Sequence, residues 1–282
     1  MKVLTKPDEL HPLHCGVFVP TMGALHAGHA ALIREAARLR DADSTRPSVI
    51  VSIFVNPTQF NDPADLARYP RTLEADLLVC KAAGADAVFT PSADAIYPPG
   101  ATISTPRLPA VATEPKLEDA RRQGHFAGVC QVVARLFDLV RPSAALFGEK
   151  DWQQLQVITA MTTQLNLPTR IIAVPTIREH DGLAMSSRNV FLSPDQRLRA
   201  AAISLALCNA CAEATPAAAE SSMARTLAAA GLEIEYAVVR DAASLLPITH
   251  NRADVSLRSL IAARLGATRL IDNARWTRGP AR

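Results

Sequence analysis

The chain has 282 residues, 49% of them hydrophobic and 20% charged, with a formal net charge of +3; this excludes a disordered chain and allows one large domain or one of about 170 residues beside a smaller one. Its 30 Lys and Arg residues are scattered rather than gathered into one run, so nothing calls for a nucleic-acid partner, while a basic pocket for a small phosphorylated ligand fits. No stretch of 18 apolar residues exists, and the first fifteen residues lack the apolar core of a signal peptide, so the expectation is a cytoplasmic protein without a membrane partner.

From residue 16 to about 176, short apolar runs alternate with amphipathic stretches. Strands are predicted at 17–20, 49–55, 87–90, 144–147 and 170–174, and helices at 30–40, 72–83, 129–140 and 152–164. Such alternation signals βαβ units and a parallel sheet, hence an α/β fold of Rossmann-like type. The runs VIVSIFV and RIIAV are nearly continuous in apolar, mostly β-branched residues, so both are expected as central strands covered on both faces. In open sheets of this kind ligands bind beyond the carboxyl ends of the strands. The proline-rich segment 91–115 reads as a long loop. After Thr176 the character changes. A polar, irregular segment is followed by an Ala-rich helical stretch over 194–230, broken at Thr215-Pro216, and then by strands at 233–240, 257–264 and 268–272. The expected domains are 1–175 and a smaller α+β domain at 176–282. Five cysteines without a framework pattern read as reduced thiols, and Cys208-x-x-Cys211, inside the helical stretch, reads as structural.

Directly after the first of these strands runs Pro20-Thr21-Met22-Gly23-Ala24-Leu25-His26-Ala27-Gly28-His29, and then a helix begins. Gly23 and Gly28 let backbone approach a ligand, and the helix start points free N–H groups and its positive dipole end at phosphates. His26 and His29 fall on one face of the first turn, where ring nitrogens can donate to a triphosphate. Further candidates follow the other strands. Asn56-Pro57-Thr58-Gln59 offers amides for a hydroxyl or carboxylate. Gly148-Glu149-Lys150-Asp151, with Gln154 one turn on, offers a cation and a carboxylate. Met185-Ser186-Ser187-Arg188-Asn189 offers hydroxyls and a guanidinium for phosphates. Taken singly, each has a bland alternative: Asp151 as a helix cap, Ser-Ser-Arg as a surface turn, Asn56-Pro57 as a strand stop.

Together, PTMGALHAGH, VSIFVNPTQF, YPRT at 69–72, GHFAGV at 124–129, LFGEKDWQQL, DGLAMSSRN and LGATRLIDN resemble, in order and over nearly the whole chain, the pantothenate synthetase (pantoate–β-alanine ligase) family. His-x-Gly-His alone is shared by a wider group of nucleotide-transferring enzymes, so a nucleotidyltransferase acting on a phosphorylated acceptor and an ATP-sensing module are the alternatives. The resemblance implies a Rossmann-like ATP domain, a C-terminal lid and a homodimer. It also implies ATP-dependent condensation of pantoate with β-alanine. It assigns Met22, Gly23, Ala24, Leu25, His26, Ala27, Gly28 and His29 to ATP, with His29 as general acid. Gly148, Glu149, Lys150, Asp151, Ile177, Met185, Ser186, Ser187 and Arg188 would also hold ATP, with His26, Lys150 and Arg188 taking part in catalysis. Gln59, Gln154, Asn56, Pro20 and Thr21 would line the pantoate and β-alanine site. Mg²⁺ would arrive mainly on the nucleotide phosphates, with Asp76 the one protein ligand suggested. Ala127 stands where the family more often has a polar or charged residue.

Overall fold

The computed structural model describes residues 1–60, 63–248 and 255–277. The chain forms two compact units, one of residues 1–148 and 154–175, the other of residues 149–153 and 176–282.

In the first unit the elements run β1 (Lys2–Leu4), β2 (Val17–Thr21), α1 (Ala27–Ala42), β3 (Val49–Ile53), α2 (Pro63–Arg68), α3 (Leu73–Ala83) and β4 (Ala87–Phe89). They continue with α4 (Ala93–Ile96), α5 (Glu118–Arg121), α6 (His125–Val140), β5 (Ala144–Gly148), α7 (Trp152–Gln164), whose first two residues belong to the second unit, and β6 (Arg170–Val174). The six strands form one parallel sheet in the order β1-β4-β3-β2-β5-β6. Strand side chains alternate between faces. Val17 and Val19 therefore pack with Ile33 and Ala36 of α1 and with Val49, Val51 and Leu146, while Phe18 turns the other way, edge-on to Phe137 of α6 at 6.3 Å between centroids. Phe18, Val19, Ile50 and Val51 are fully buried, each burial contributing roughly 1.5–3 kcal/mol.

VIVSI is a central strand as its composition suggests, but RIIAV is not. β6 lies at the sheet edge beside β5 alone, with Arg170 and Ala173 exposed and only Val174 buried. Its β-branched residues satisfy a half-covered edge as well as a covered centre, and composition does not separate the two. At the opposite edge, β1 pairs with β4 over three residues, too short a strand to show periodicity. The 91–115 segment contains α4 and one short helical turn at Ala110–Ala112. It is fastened to the unit by Gln131 Nε2 donating to Ile103 O (2.7 Å), Arg135 Nε to Ile96 O (3.1 Å) and Gln164 Nε2 to Arg107 O (2.9 Å).

The second unit holds α8 (Pro194–Ala200), α9 (Ala202–Ala210), α10 (Pro216–Ala229) and an antiparallel sheet, β7 (Glu233–Asp241), β8 (Leu257–Leu265) and β9 (Thr268–Trp276), in that order. Ile203, Leu207, Met223 and Leu227 from the helices bury against Val239, Ile261, Ala263 and Leu270. The Thr215-Pro216 break is a helix start: Thr215 accepts from Ala218 N at 3.2 Å and Pro216 occupies the first turn, where a missing N–H costs nothing. Among the described residues no helix is long and apolar enough to cross a membrane.

Candidate active site

β2 pairs with β3 over five residues, from Val17↔Val49 to Thr21↔Ile53. With β5 it pairs over only two, Val17↔Ala144 and Phe18↔Ala145. The chain order also reverses between β2 and β5, so the two strands part toward their carboxyl ends at the topological switch point, where such sheets bind ligands. Pro20 and Thr21 end β2 at this opening, and Gly148 ends β5. The Thr21 hydroxyl donates to Ser52 O (2.6 Å) and accepts from Gly23 N (3.3 Å). It ties β2 to β3 and shapes the turn.

In that turn Gly23 and Ala24 both adopt left-handed backbone, with φ of 83° and 51°. This aims the amides of Ala24 and Leu25 at one point, and the carboxylate of Asp76, on α3, sits there: Oδ2 accepts from Ala24 N at 3.0 Å and Oδ1 from Leu25 N at 2.8 Å. Thr72 Oγ1 donates to Oδ1 as well, at 3.1 Å. A Cβ on Gly23 would lie 2.9 Å from Asp76 Oδ2. Asp76 is 2% exposed, so the residue suggested as a magnesium ligand has its oxygens engaged in pinning this turn. Ala24 and Leu25 belong to the turn, but their amides are spent on Asp76 rather than aimed outward.

The two histidines follow. His26 caps α1, its Nδ1 accepting from Gly28 N at 3.1 Å, and His29 Nδ1 accepts from His26 N at 3.3 Å. Their rings lie 4.2 Å apart. A ring nitrogen that accepts an amide hydrogen carries no proton, so in the neutral form each ring holds its proton on Nε2. The pair thus presents two Nε2–H donors from one helix turn. A Cβ on Gly28 would meet His26 Cε1 at 2.8 Å, so a larger residue here must displace the His26 ring. Ala27 opens the helix and is exposed.

At the end of β3, Asn56 is 1% exposed and fully engaged. Its Nδ2 donates to Gln59 Oε1 (3.3 Å) and Gly128 O (3.2 Å), while Oδ1 accepts from Thr58 Oγ1 (3.1 Å) and from the hydroxyl of Tyr97 (2.9 Å). Asn56 thereby holds the Gln59 side chain in place. The Gln59 Nε2 donates to Met22 Sδ at 2.9 Å, and a thioether is a weak acceptor that a carboxylate or hydroxyl readily displaces. His125 and Gly128 complete this corner. His125 Nδ1 donates to Gln59 O (2.9 Å), and its Nε2 accepts from Arg122 Nη1 (2.9 Å). A Cβ on Gly128 would meet Thr58 O at 2.4 Å, so only glycine lets α6 approach this turn. GHFAGV carries both residues, yet nothing in the string tells that the histidine faces inward. Gln154 stands half-buried in the first turn of α7.

The remaining candidates lie in the second unit. Glu149, Lys150 and Asp151 form a short helical turn. Asn273 Nδ2 donates to both Glu149 O and Lys150 O at 2.9 Å. Arg258 pairs with Glu149 Oε2 at 2.7 Å and lies 3.3 Å over the Trp152 ring; burial lowers its pKa, and Glu149 opposes the shift. Ile177 O accepts from Met185 N at 2.9 Å, and Arg178 and Ala184 form a bridge, so 177–185 is a hairpin. Ser186 caps the turn Ser187–Phe191 by accepting from Arg188 N at 3.2 Å. The hairpin is fastened by Arg178 to Asp272 (2.6 Å), by Arg197 to Glu179 (2.6 Å) and by Arg197 to Asp181. The Arg197 guanidinium holds both carboxyls below their usual range. Arg178, Arg258, Asp272 and Asn273 had no place among the expected site residues, because their partners lie far away in sequence.

A family model described as pantoate-beta-alanine ligase matches residues 9–275. The chain belongs to the pantoate–β-alanine ligase family. A pantothenate synthetase from a Nocardioides species is 50% identical over 271 residues, covering 93% of this chain and 80% of that one. The crystal structure of pantothenate synthetase from Thermus thermophilus superposes with a TM-score of 0.88 at 40% identity, covering 98% of this chain and all of the other. The ligase of Francisella tularensis, solved with β,γ-ATP and β-alanine, gives 0.76 at 32% identity over 98% of this chain and 97% of that one. The six-stranded parallel sheet and the small antiparallel sheet are the ligase fold.

Proposed function

We propose that the chain condenses pantoate with β-alanine at the expense of ATP, through an enzyme-bound pantoyl adenylate, and that the residues above carry the reaction. The supporting observation is the paired cap at the start of α1, where two histidine rings 4.2 Å apart each accept an amide hydrogen on Nδ1 beside the β2–β5 opening, in a chain of ligase sequence and fold. A carboxylate does not acylate an amine directly, because oxide is not a competent leaving group. The pantoate oxygen attacks the α-phosphorus and pyrophosphate departs. The β-alanine amine, having lost its proton, then attacks the acyl carbon, and AMP departs as the amide forms.

His26 and His29 donate to the phosphate oxygens as negative charge builds on them, with His29 placing its proton toward the departing group. A well-aimed donor of this kind contributes about 3 kcal/mol to the transition state. Lys150 and Met185 to Arg188 hold the phosphates, and Ile177 lies near the adenine. Gln59 gives up its weak Met22 contact to hold pantoate, with Gln154 as the second neutral donor. The first unit is the ATP and pantoate domain, and the second, which takes residues 149–153 as well as 176–282, is the lid of a cytoplasmic homodimer. Magnesium supplies charge neutralisation on the triphosphate. The oxygens of Asp76 are engaged with Ala24, Leu25 and Thr72, and the ion would arrive mainly on the phosphates.

The test is pyrophosphate release from ATP and Mg²⁺ with pantoate, with and without β-alanine, following AMP and pantothenate. Turnover to both products only with both acids, together with pantoate-dependent exchange of labelled pyrophosphate into ATP, is expected. His29→Ala is expected to lower turnover roughly 100- to 1,000-fold in folded protein. Wild-type turnover in that variant sinks the assignment of His29, and silence with both acids turns the search to nucleotidyl transfer onto a phosphorylated acceptor.

A further inference from the structure

Asp272 and Asn273 are consecutive on β9 and each is 3% exposed. Each grips a different segment of its own unit. The carboxamide of Asn273 donates to Glu149 O and to Lys150 O, both at 2.9 Å. Those carbonyls belong to the two peptide groups on either side of the Lys150 Cα. Fixing both planes fixes the backbone dihedrals of Lys150, and with them the direction in which its side chain leaves the chain. The carboxamide is itself held: its Oδ1 accepts from Arg258 Nε at 2.5 Å, and Arg258 is clamped between Glu149 and the Trp152 ring. Trp152 Nε1 in turn donates to Ala242 O at 2.7 Å. Asp272 takes the fork of Arg178 on both oxygens, at 2.6 and 3.1 Å, and the same guanidinium donates to Gly182 O at 2.9 Å. That closes the hairpin from which Ser186, Ser187 and Arg188 emerge. The two grips are joined, since Asn273 N donates to Asp272 Oδ1 at 2.7 Å.

We propose that Asp272 and Asn273 are positioning residues for adenylation, setting Lys150 and the Ser186–Arg188 turn at a fixed separation on one rigid strand so that both meet the same polyphosphate. The proposal rests on the reading of Lys150 and Arg188 as phosphate ligands given above. A buried, saturated network of this kind also stabilises the unit, so the discriminating measurement is coupling rather than loss alone.

The substitution Asn273→Asp keeps the acceptor for Arg258 and replaces the two donors to the carbonyls by an oxygen. In the full-length protein it is expected to lower kcat for pantoate-dependent pyrophosphate release by about 10- to 100-fold, as an ångström of misplacement does. KM for ATP rises, while KM for pantoate stays within about twofold, because the pantoate groups lie in the other unit. In a Lys150→Ala background the same substitution is expected to change kcat by less than about threefold, since its target is already gone. Unchanged kcat in folded Asn273→Asp, or losses that multiply in full with Lys150→Ala, overturns the proposal. If Lys150→Ala itself leaves turnover intact, the reading of Lys150 falls and takes the proposal with it, a result distinct from the first two. Should Asn273→Asp fail to fold, Arg178→Lys, tested alone and with Arg188→Ala, applies the same criterion at the other grip, where the Arg178 side chain is 30% exposed.

Discussion

The turn at 22–29 is fastened by groups that reach backbone amides: the Asp76 carboxylate on Ala24 and Leu25, and the His26 and His29 rings on Gly28 and His26. The hairpin at 177–185 is fastened by guanidiniums on carboxylates, Arg178 with Asp272 and Arg197 with Glu179 and Asp181. Both are proposed to present groups for phosphate, yet they respond differently to conditions. The first anchor is 2% exposed and works at hydrogen-bond range. The second includes an ion triad whose side chains are 23%, 27% and 24% exposed, where water and salt weaken attraction. A rigid cradle is built where the chain needs a fixed backbone; a fastening sensitive to charge is built in the segment proposed to belong to a lid.

The largest effect that tests this contrast is at Asp76. Asp76→Ala leaves two part-buried amides without their acceptor, and stability is expected to fall by about 2 kcal/mol, with turnover down roughly 100-fold as the cradle loosens. Denaturant midpoints and pyrophosphate release measure both. A loss of turnover at unchanged stability would give the carboxylate a direct role in the chemistry and break the comparison. Gly28→Ala comes next. Its Cβ would crowd the His26 ring, costing about 1 kcal/mol through the lost cap and about tenfold in turnover through the displaced donor; a larger fall in pantoate affinity than in kcat would point away from the histidine.

The smallest effect is at Arg197. Glu179 and Asp181 have folded pKa values held down by hydrogen bonds from Arg197. Their contribution to stability is therefore complete above the unfolded carboxylate values near about 4 and is lost as pH falls through the lower folded values. Arg197→Met is expected to remove about 1 kcal/mol at pH 7 and to flatten this part of the acid dependence, while the same titration on Gly28→Ala keeps the wild-type slope. Parallel slopes for Arg197→Met and wild type would show that the hairpin is held some other way.

Much of this molecule is written locally. The parallel strands that end before the site, the helix that starts at the histidines and the fold class follow from apolar runs of four to seven residues separated by helical stretches. The His-x-Gly-His cap is equally local, since its hydrogen bonds span two or three residues. What sequence did not reveal depends on distant partners. The position of RIIAV at a sheet edge is set by strand order. Asp76 meets a turn 51 and 52 residues away, so from sequence alone its carboxylate looked available to a metal. Asn56 carries the same lesson: its ties to Tyr97 and Gly128, 41 and 72 residues away, are not legible in the string that contains it. Asn273 acts on carbonyls 123 and 124 residues earlier, and no local signal encodes that.

The carboxylate seated beneath Ala24 and Leu25 also bears on how this turn can be moved between proteins. The ten-residue string from Pro20 to His29 looks like a portable cassette, but its left-handed pair converges on an anion that α3 supplies. Grafted alone into another parallel sheet, the string would leave those two amides without their acceptor, and the turn that leads into the histidines would lose its anchor. A transplant that works must carry an acidic residue on the adjoining helix as well, which makes the functional unit a strand, a turn and two helices rather than a motif.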